Sequence, residues 1–432
     1  MRSFLVCLLL LVQSSAHATE TWLLQVNRWG NPSFMTLYLD DHAGTLSGTL
    51  SGTLDGDPLT GKRSGDMVAF DVVDQRKQRH AYKGTIGAAG MQGQADFPDS
   101  NNPKARAVHA FSARRLPERV SASPRTHRFT PTDYSNEFSA TRAPVLTIWP
   151  GDTVVTSTID SGGVDERGVT RALYGNPQTG PFFIMGAESG DTVAIHLRRL
   201  RLNRDYADSL DAIVGRAQST AMAAKSAALG KPVRWKLDLQ QGVATPDSAS
   251  ASLGNLKVPL RPMLGGLALA PPDGPAMSTG DTGRYGGNMD FNEVVAGNTV
   301  YLPVQQAGAL LYLGDAHAAQ GDGETAQFAL ETSMEVEFTV ELIKASDTRK
   351  AVPMPRVESP GQIMTLGQAG SLDDALRQAT GGMVQWLQQD YGMSVSDAAI
   401  VLGSAVQYSV ANLAGRSVGV AAKLNRSLLI KR

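Results

Sequence analysis

The residues best suited to chemistry fall within 284–334, where carboxylates, amide side chains, glycines and one histidine stand at the ends of two short apolar runs, 299–304 and 309–313. Asn288 and Asp290 precede the first run; Asp315 and His317 follow the second. Runs this short, rich in Val, Leu and Tyr and bounded by Gly, Pro and Asn, predict buried strands. Alternate residues of an extended chain face one side, so Asp315 and His317 present a carboxylate and an imidazole together. That pair suits a divalent metal such as zinc. Glu324 and Glu331 add carboxylates for ligation or general base work. Gly286, Gly287, Gly321 and Gly323 allow tight turns and close approach of backbone to a small ligand. The same pattern also suits an interior, hydrogen-bonded histidine among ordinary Gly-Asp turns. Spacing alone does not choose between the two.

Several motifs here resemble the acetamidase/formamidase family: GGNMD at 286–290, YLPV at 301–304, GDAHAAQGDGE at 314–324 and ETSM at 331–334. Upstream and in the same order stand NPQTGPFFIMGAESGD at 176–191 and PMLGGLALAPPDGPAMSTG at 262–280. The likeness covers about residues 132–430. It implies hydrolysis of the carbon–nitrogen bond of a small linear amide, formamide-like or acetamide-like, to ammonia and a carboxylate. It further implies Asp160, Asp290 and His317 as ligands of a divalent metal, expected to be zinc, with Asp315 as a fourth ligand or an orienting group. Glu331, or next Glu324, is then the base, and Asn288 donates to the developing oxyanion. Gly287, Asn176 and Gln320 are the substrate-binding candidates. Taken alone, Asp160, which ends the β-branched run 153–158 before Ser161, Gly162 and Gly163, fits a turn cap as well as a ligand. Many relatives place a histidine before the Asn-Pro pair, whereas this chain has Tyr174 and Gly175, a departure that bears on the substrate.

Composition narrows the chemistry. Hydrophobic content of 42% and charged content of 19% describe a soluble globular protein with ample core. Arg2, the apolar run 4–12 and the Ala16-His17-Ala18 pattern predict a signal peptide over 1–18, too short to span a bilayer. The mature chain is therefore expected in the periplasm or outside the cell, without a membrane span. Cys7, the one cysteine, lies inside that leader, so neither disulfides nor a cysteine nucleophile belong to the mature protein. From Leu197 onward His317 is the one histidine, which makes a metal-activated water simpler than a Ser-His-Asp relay. The formal charge of −1 becomes −2 without Arg2, and nothing basic suggests nucleic acid.

The elements that must position these residues are mainly β. Residues 19–115 read as a small β-barrel or sandwich of short strands at 21–26, 34–39, 67–73, 80–86 and 107–113, separated by glycine-rich turns that include the Gly-Thr-Leu repeats of 44–54. Its Trp22, Trp29, Phe34, Tyr38 and Phe70 are expected to fill a core rather than form a binding face. Residues 116–143 form a Pro-containing linker and entry strand, and 144–432 the larger acetamidase/formamidase-like β-sandwich domain with peripheral helices. Within it the pattern predicts a helix from Ser209 to about Leu229, a loop over 244–252 and a strand over 335–343. A helix capped by Ser371 and a second running from Ser396 to near Gly415 are expected to close the core or the interface of a homo-oligomer. The alternative from another class is a non-catalytic small-ligand binding protein of the cell envelope.

Overall fold

The computed structural model describes residues 19–51, 56–99, 101–102, 104–119, 121–226, 228–247, 250–272, 274–347 and 352–429; the expected signal peptide, 1–18, lies outside them. The chain divides into two compact units, the first made chiefly of residues up to Glu118 and the second of residues from Arg119 onward. Among the described residues, no helix is long and apolar enough to cross a membrane.

The first unit is a closed barrel of eight antiparallel strands: β1 (Glu20–Arg28), β2 (Asn31–His42), β3 (Thr45–Leu50), β4 (Asp57–Ser64), β5 (Met67–Val73), β6 (Arg79–Gly87), β7 (Gly90–Pro98) and β8 (Arg106–Arg115). β8 closes on β1 with Trp22 opposite Arg115 and Asn27 opposite Ala110. Period-two burial turns Leu24, Val26, Leu37, Leu39, Phe70, Tyr82 and Phe111 inward. Trp22 joins them, but Trp29 is 72% exposed, its ring edge-on to His109. The sequence missed β3, β4 and β7 because their glycines look like turn residues. They are strand residues at places where neighbouring backbones come close: a Cβ on Gly48 would lie 2.0 Å from the Tyr38 carbonyl oxygen, and one on Gly93 2.1 Å from that of Lys83.

The second unit packs two sheets face to face. A nine-stranded sheet contains Thr153–Ser157, Thr192–Leu202, Thr299–Pro303 and Met334–Ile343; an eleven-stranded sheet contains Gln178–Ile184, Met263–Ala268, Gly286–Asn288, Leu311–His317 and Glu331–Thr332. Val193, Ile195, Val300, Val336 and Phe338 of the first meet Phe182, Leu264, Leu267, Leu311 and Leu313 of the second in one fully buried core. The strand expected at 335–343 is there.

Two helix boundaries differ from expectation. Ser209 does not cap a helix; it lies in the strand Tyr206–Leu210, paired with Val233 of Pro232–Asp238, and its hydroxyl accepts from Trp235 Nε1 at 2.9 Å. Among the described residues only Thr220–Ser226 is α-helical there, with no buried residue, so the alanines had propensity but no apolar face to dock. Within the expected loop, Val243–Pro246 is a strand. The helix Leu372–Tyr391 is capped by Ser371 as expected and packs Ala375, Ala379, Met383, Trp386 and Leu387 inward. The next helix, Val395–Ala405, is capped by Ser394 and stops well before Gly415. Gln407–Asn412 pairs instead with Val418–Asn425, because the edge of that sheet offers backbone partners that a longer helix would forgo.

Candidate active site

The site grows out of the strand Leu311–His317 and its neighbours. Antiparallel register sets His317 opposite Glu331 on one side and opposite Met263 on the other, while Gly266 pairs with Asn288. Short segments between residues 286 and 331 thereby deliver Asp290, Asp315, His317, Glu324 and Glu331 to one place. All five are buried. His317 Nε2 lies 3.1 Å from Glu331 Oε1 and 3.4 Å from Asp315 Oδ1 yet closes an aligned hydrogen bond with neither. Ligand atoms of Asp290, His317 and Glu324 lie within 4.8 Å of one another, and so do those of Asp315, His317 and Glu331.

Small residues make this crowding possible. A Cβ on Gly265 would stand 2.5 Å from Asp290 Oδ1 and 2.7 Å from Asp315 Oδ2, so the two carboxylates close over bare backbone. The backbone itself is strained: Asn176, Asp290, Asp315, Glu324 and Phe328 all have φ between +42° and +68°, a region that side chains disfavour. These five make up half of the ten non-glycine residues with positive φ among the described residues, and all five line one cavity. Such strain persists where surrounding structure over-determines it, which is common at functional sites.

That cavity holds about 380 Å³. Asp290, Asp315, Glu324 and Glu331 lie in its wall with Tyr174, Asn176, Asn288, Phe328 and Arg416. An amide chain leads across it: Asn176 Nδ2 donates to Asn288 Oδ1 at 2.6 Å and to Asp315 Oδ2 at 3.1 Å, and Asn288 Nδ2 donates to Asp290 Oδ2 at 2.6 Å. Asn412 Nδ2 reaches the same Asp290 oxygen at 2.6 Å. Asp290 Oδ2 is thus fully engaged, while Asp290 Oδ1, His317 Nε2 and Glu331 Oε2 are buried without a hydrogen-bond partner.

Electrostatics concentrate on the same atoms. Burial, then repulsion from Glu324 and Asp315, pushes the Asp290 carboxyl well above its ordinary range. Burial raises Glu324 to about 8, with the His317 charge opposing and Glu331 and Asp315 adding to the rise. Glu331 is raised by burial as well, partly offset by His317. Burial alone would lower His317, but the Glu331 and Asp315 charges outweigh it and hold the imidazole well above its usual value. Four buried carboxylates around one histidine call for shared protons or a cation.

The structure separates the remaining sequence candidates. Asp160 stands outside both clusters: its Oδ2 takes Arg204 Nη2 at 2.7 Å and its Oδ1 accepts from the Val164 amide. The turn-cap reading thus describes its contacts better than the ligand reading. Gly287 does not line the cavity; a Cβ there would meet the Asp281 carbonyl oxygen at 2.2 Å. Gln320 also stays out of the cavity wall and instead faces His317 Nδ1 at 2.9 Å. Sequence reasoning missed Arg204, whose Nη2 also donates to the Glu331 carbonyl at 3.2 Å, and it missed Asn412 and Arg416. Arg204 sits just past a strand of alternating apolar and basic residues and looks there like one more surface arginine. Asn412 and Arg416 flank Gly415 in an ordinary turn pattern, and only tertiary pairing brings them to Asp290 and the cavity.

Known proteins share this arrangement of strands. Residues 274–414 match the acetamidase/formamidase family. A formamidase of Methylophilus methylotrophus is 30% identical over 139 residues, a match that spans 28% of this chain and 34%, about a third, of the relative's length. An acetamidase from Bacillus halodurans superposes with a TM-score of 0.58 at 26% identity, covering 70% of this chain and 98% of that one. For an acetamidase from Yersinia enterocolitica the values are 0.61 and 29%, with 71% and 94% covered. The family match over residues 274–414, the carboxylate cluster within it and the superposition on solved acetamidases make the second unit similar to the acetamidase/formamidase family, in a chain that also carries an N-terminal β-barrel.

Proposed function

We propose that the second unit hydrolyses the carbon–nitrogen bond of a small linear amide with the help of a divalent cation. The observation that carries this reading is the trio of buried, unpartnered atoms, Asp290 Oδ1, His317 Nε2 and Glu331 Oε2, within a cluster of four carboxylates. Buried polar atoms without a protein partner are costly, and hard oxygen donors beside an imidazole fit zinc or a similar ion. Held by Asp290, His317 and Glu324, or by Asp315, His317 and Glu331, such an ion would supply Lewis acidity to an amide carbonyl and to an attacking water.

The protein's own groups divide the remaining work. Glu331 keeps Oε1 near His317, leaving Oε2 to take the water proton and pass it to the departing nitrogen. Burial makes it a stronger base than a solvated carboxylate. Asn288 gives one Nδ2 hydrogen to Asp290 and retains a second for the oxygen that gains charge. Asn176 fixes Asn288 and Asp315 against each other and so preserves the spacing. A ligand-holding role without turnover would leave the unpartnered Glu331 oxygen without a task.

Ammonia release from a panel of short amides, with metal content measured on the same sample, tests the proposal. Turnover that disappears on chelation and returns with the cation is expected. Full turnover in metal-free protein would remove the cation from the reading, and absence of turnover by metal-loaded protein on every amide would remove the hydrolysis.

A further inference from the structure

The cavity is larger than formamide or acetamide requires: at about 380 Å³ it lies in the range of about 300–1,000 Å³ typical of small-molecule pockets. Its wall is also polarised. Four carboxylates lie on it, and Arg416 is the one cationic residue among those that line it. The Arg416 side chain is 69% exposed and meets Asp281 through two long contacts of 3.4 Å, weak for a guanidinium that can grip a carboxylate with two parallel hydrogen bonds.

The backbone beneath this arginine is held from two sides. Arg216 donates to the carbonyls of Leu413 at 3.2 Å, of Gly415, and of Arg416 at 2.8 Å. The Gly415 amide donates to Asn412 Oδ1 at 2.9 Å, and Asn412 in turn holds Asp290. The turn that carries Arg416 is therefore tied directly to a carboxylate of the proposed reaction centre, while the guanidinium itself stays available. Tyr174 and Phe328, edge-on at 6.1 Å, give the same cavity an apolar surface for a short carbon chain.

We infer that the preferred substrate is a small amide bearing a carboxylate, with Arg416 binding the carboxylate and the amide directed to the Asp290, Asp315 and Glu331 end. This rests on the amide-hydrolysis reading and adds the substrate class. The carboxylate cluster repels a second negative group, so charge alone fixes which end of such a molecule enters first.

The probes are succinamate and the neutral amide butyramide, each assayed for kcat/KM and for binding by calorimetry to metal-loaded Glu331→Gln protein. The intact chain should favour succinamate, and Arg416→Gln should raise its KM by about 2-fold to 5-fold, the range for losing one exposed ion pair. Arg416→Lys should restore part of the preference, and added salt should weaken it because the contact is exposed. Equal use of both amides, or an unchanged succinamate KM in Arg416→Gln, overturns the inference while leaving amide hydrolysis standing. Succinamate binding without turnover of either amide overturns hydrolysis instead. Absence of succinamate binding to the Glu331→Gln protein overturns the inference.

Discussion

His317 Nδ1 lies 2.9 Å from Gln320 Oε1, and Gln320 Nε2 donates to the Asp290 carbonyl at 2.5 Å, so the amide cannot turn without losing that bond. In a neutral imidazole this places the proton on Nδ1 and the lone pair on Nε2, toward Asp315 and Glu331. Gln320 thus sets the form of the ring that a cation needs. Gln320→Ala is expected to weaken cation binding by about 10-fold to 100-fold, as loss of such an orienting partner typically does. Titration of the chelated variant with zinc measures it, and unchanged affinity would remove this role.

The two proposed roles at the site fail in different ways. His317→Ala deletes a nitrogen donor, so cation content and turnover should fall together. Glu331→Gln keeps shape but accepts no proton, so the cation should stay while turnover falls by ~100-fold to 10,000-fold. Metal stoichiometry and rate measured on each variant decide. If His317→Ala keeps its metal while Glu331→Gln loses it, the roles are exchanged.

Gly265 is open to a direct steric test. Gly265→Ala puts a methyl group against Asp290 Oδ1 and Asp315 Oδ2 and should spread the two carboxylates, abolishing cation uptake. Gly403→Ala, in a helix with nothing within 4 Å of the added carbon, should leave uptake unchanged and raise stability by up to about 1 kcal/mol. Equal cation affinity in both variants would show that the close approach over Gly265 is dispensable.

Stability of the chelated protein should fall as pH rises from about 5 to about 8. The Glu324 carboxyl stands at about 8 against an ordinary 4.5, and Asp290, Glu331 and His317 are raised too. A folded state that holds protons more tightly than the unfolded chain has that stabilisation in full below the unfolded value and loses it through the folded one. A bound cation replaces those protons, so metal-loaded protein should show a flatter profile. Thermal melting at several pH values with and without chelator is the measurement, and matching slopes would count against the cluster's titration.

Removing residues 19–115 should leave turnover of a small amide within severalfold of the full chain, because every residue placed at the site lies beyond them. A folded truncation without turnover would place a needed group in the barrel.

The legible part of this protein was the part written in local periodicity. Alternation along 311–317 put Asp315 and His317 on one side, and the structure holds them 3.4 Å apart, even though Asp315 itself has φ +54°. Ser371 announced a helix through its cap and the acids behind it. What stayed hidden depended on distant partners. Asn412 and Arg216 meet Asp290 and the 413–416 turn across more than a hundred residues, through contacts that no local pattern encodes. The alanine run after Ser209 misled because propensity was read without an apolar face for the helix to bury. The barrel glycines misled because close strand approach and tight turns select the same residue.

The left-handed backbone at Asp290, Asp315 and Glu324 sets stability against activity. Glycine at any of these positions would relax the main chain and remove one of the mutually repelling carboxylates, two gains for the fold and one loss for chemistry. Directed evolution of this protein under heat alone would therefore enrich robust but inert variants, and a useful campaign must screen turnover in every round.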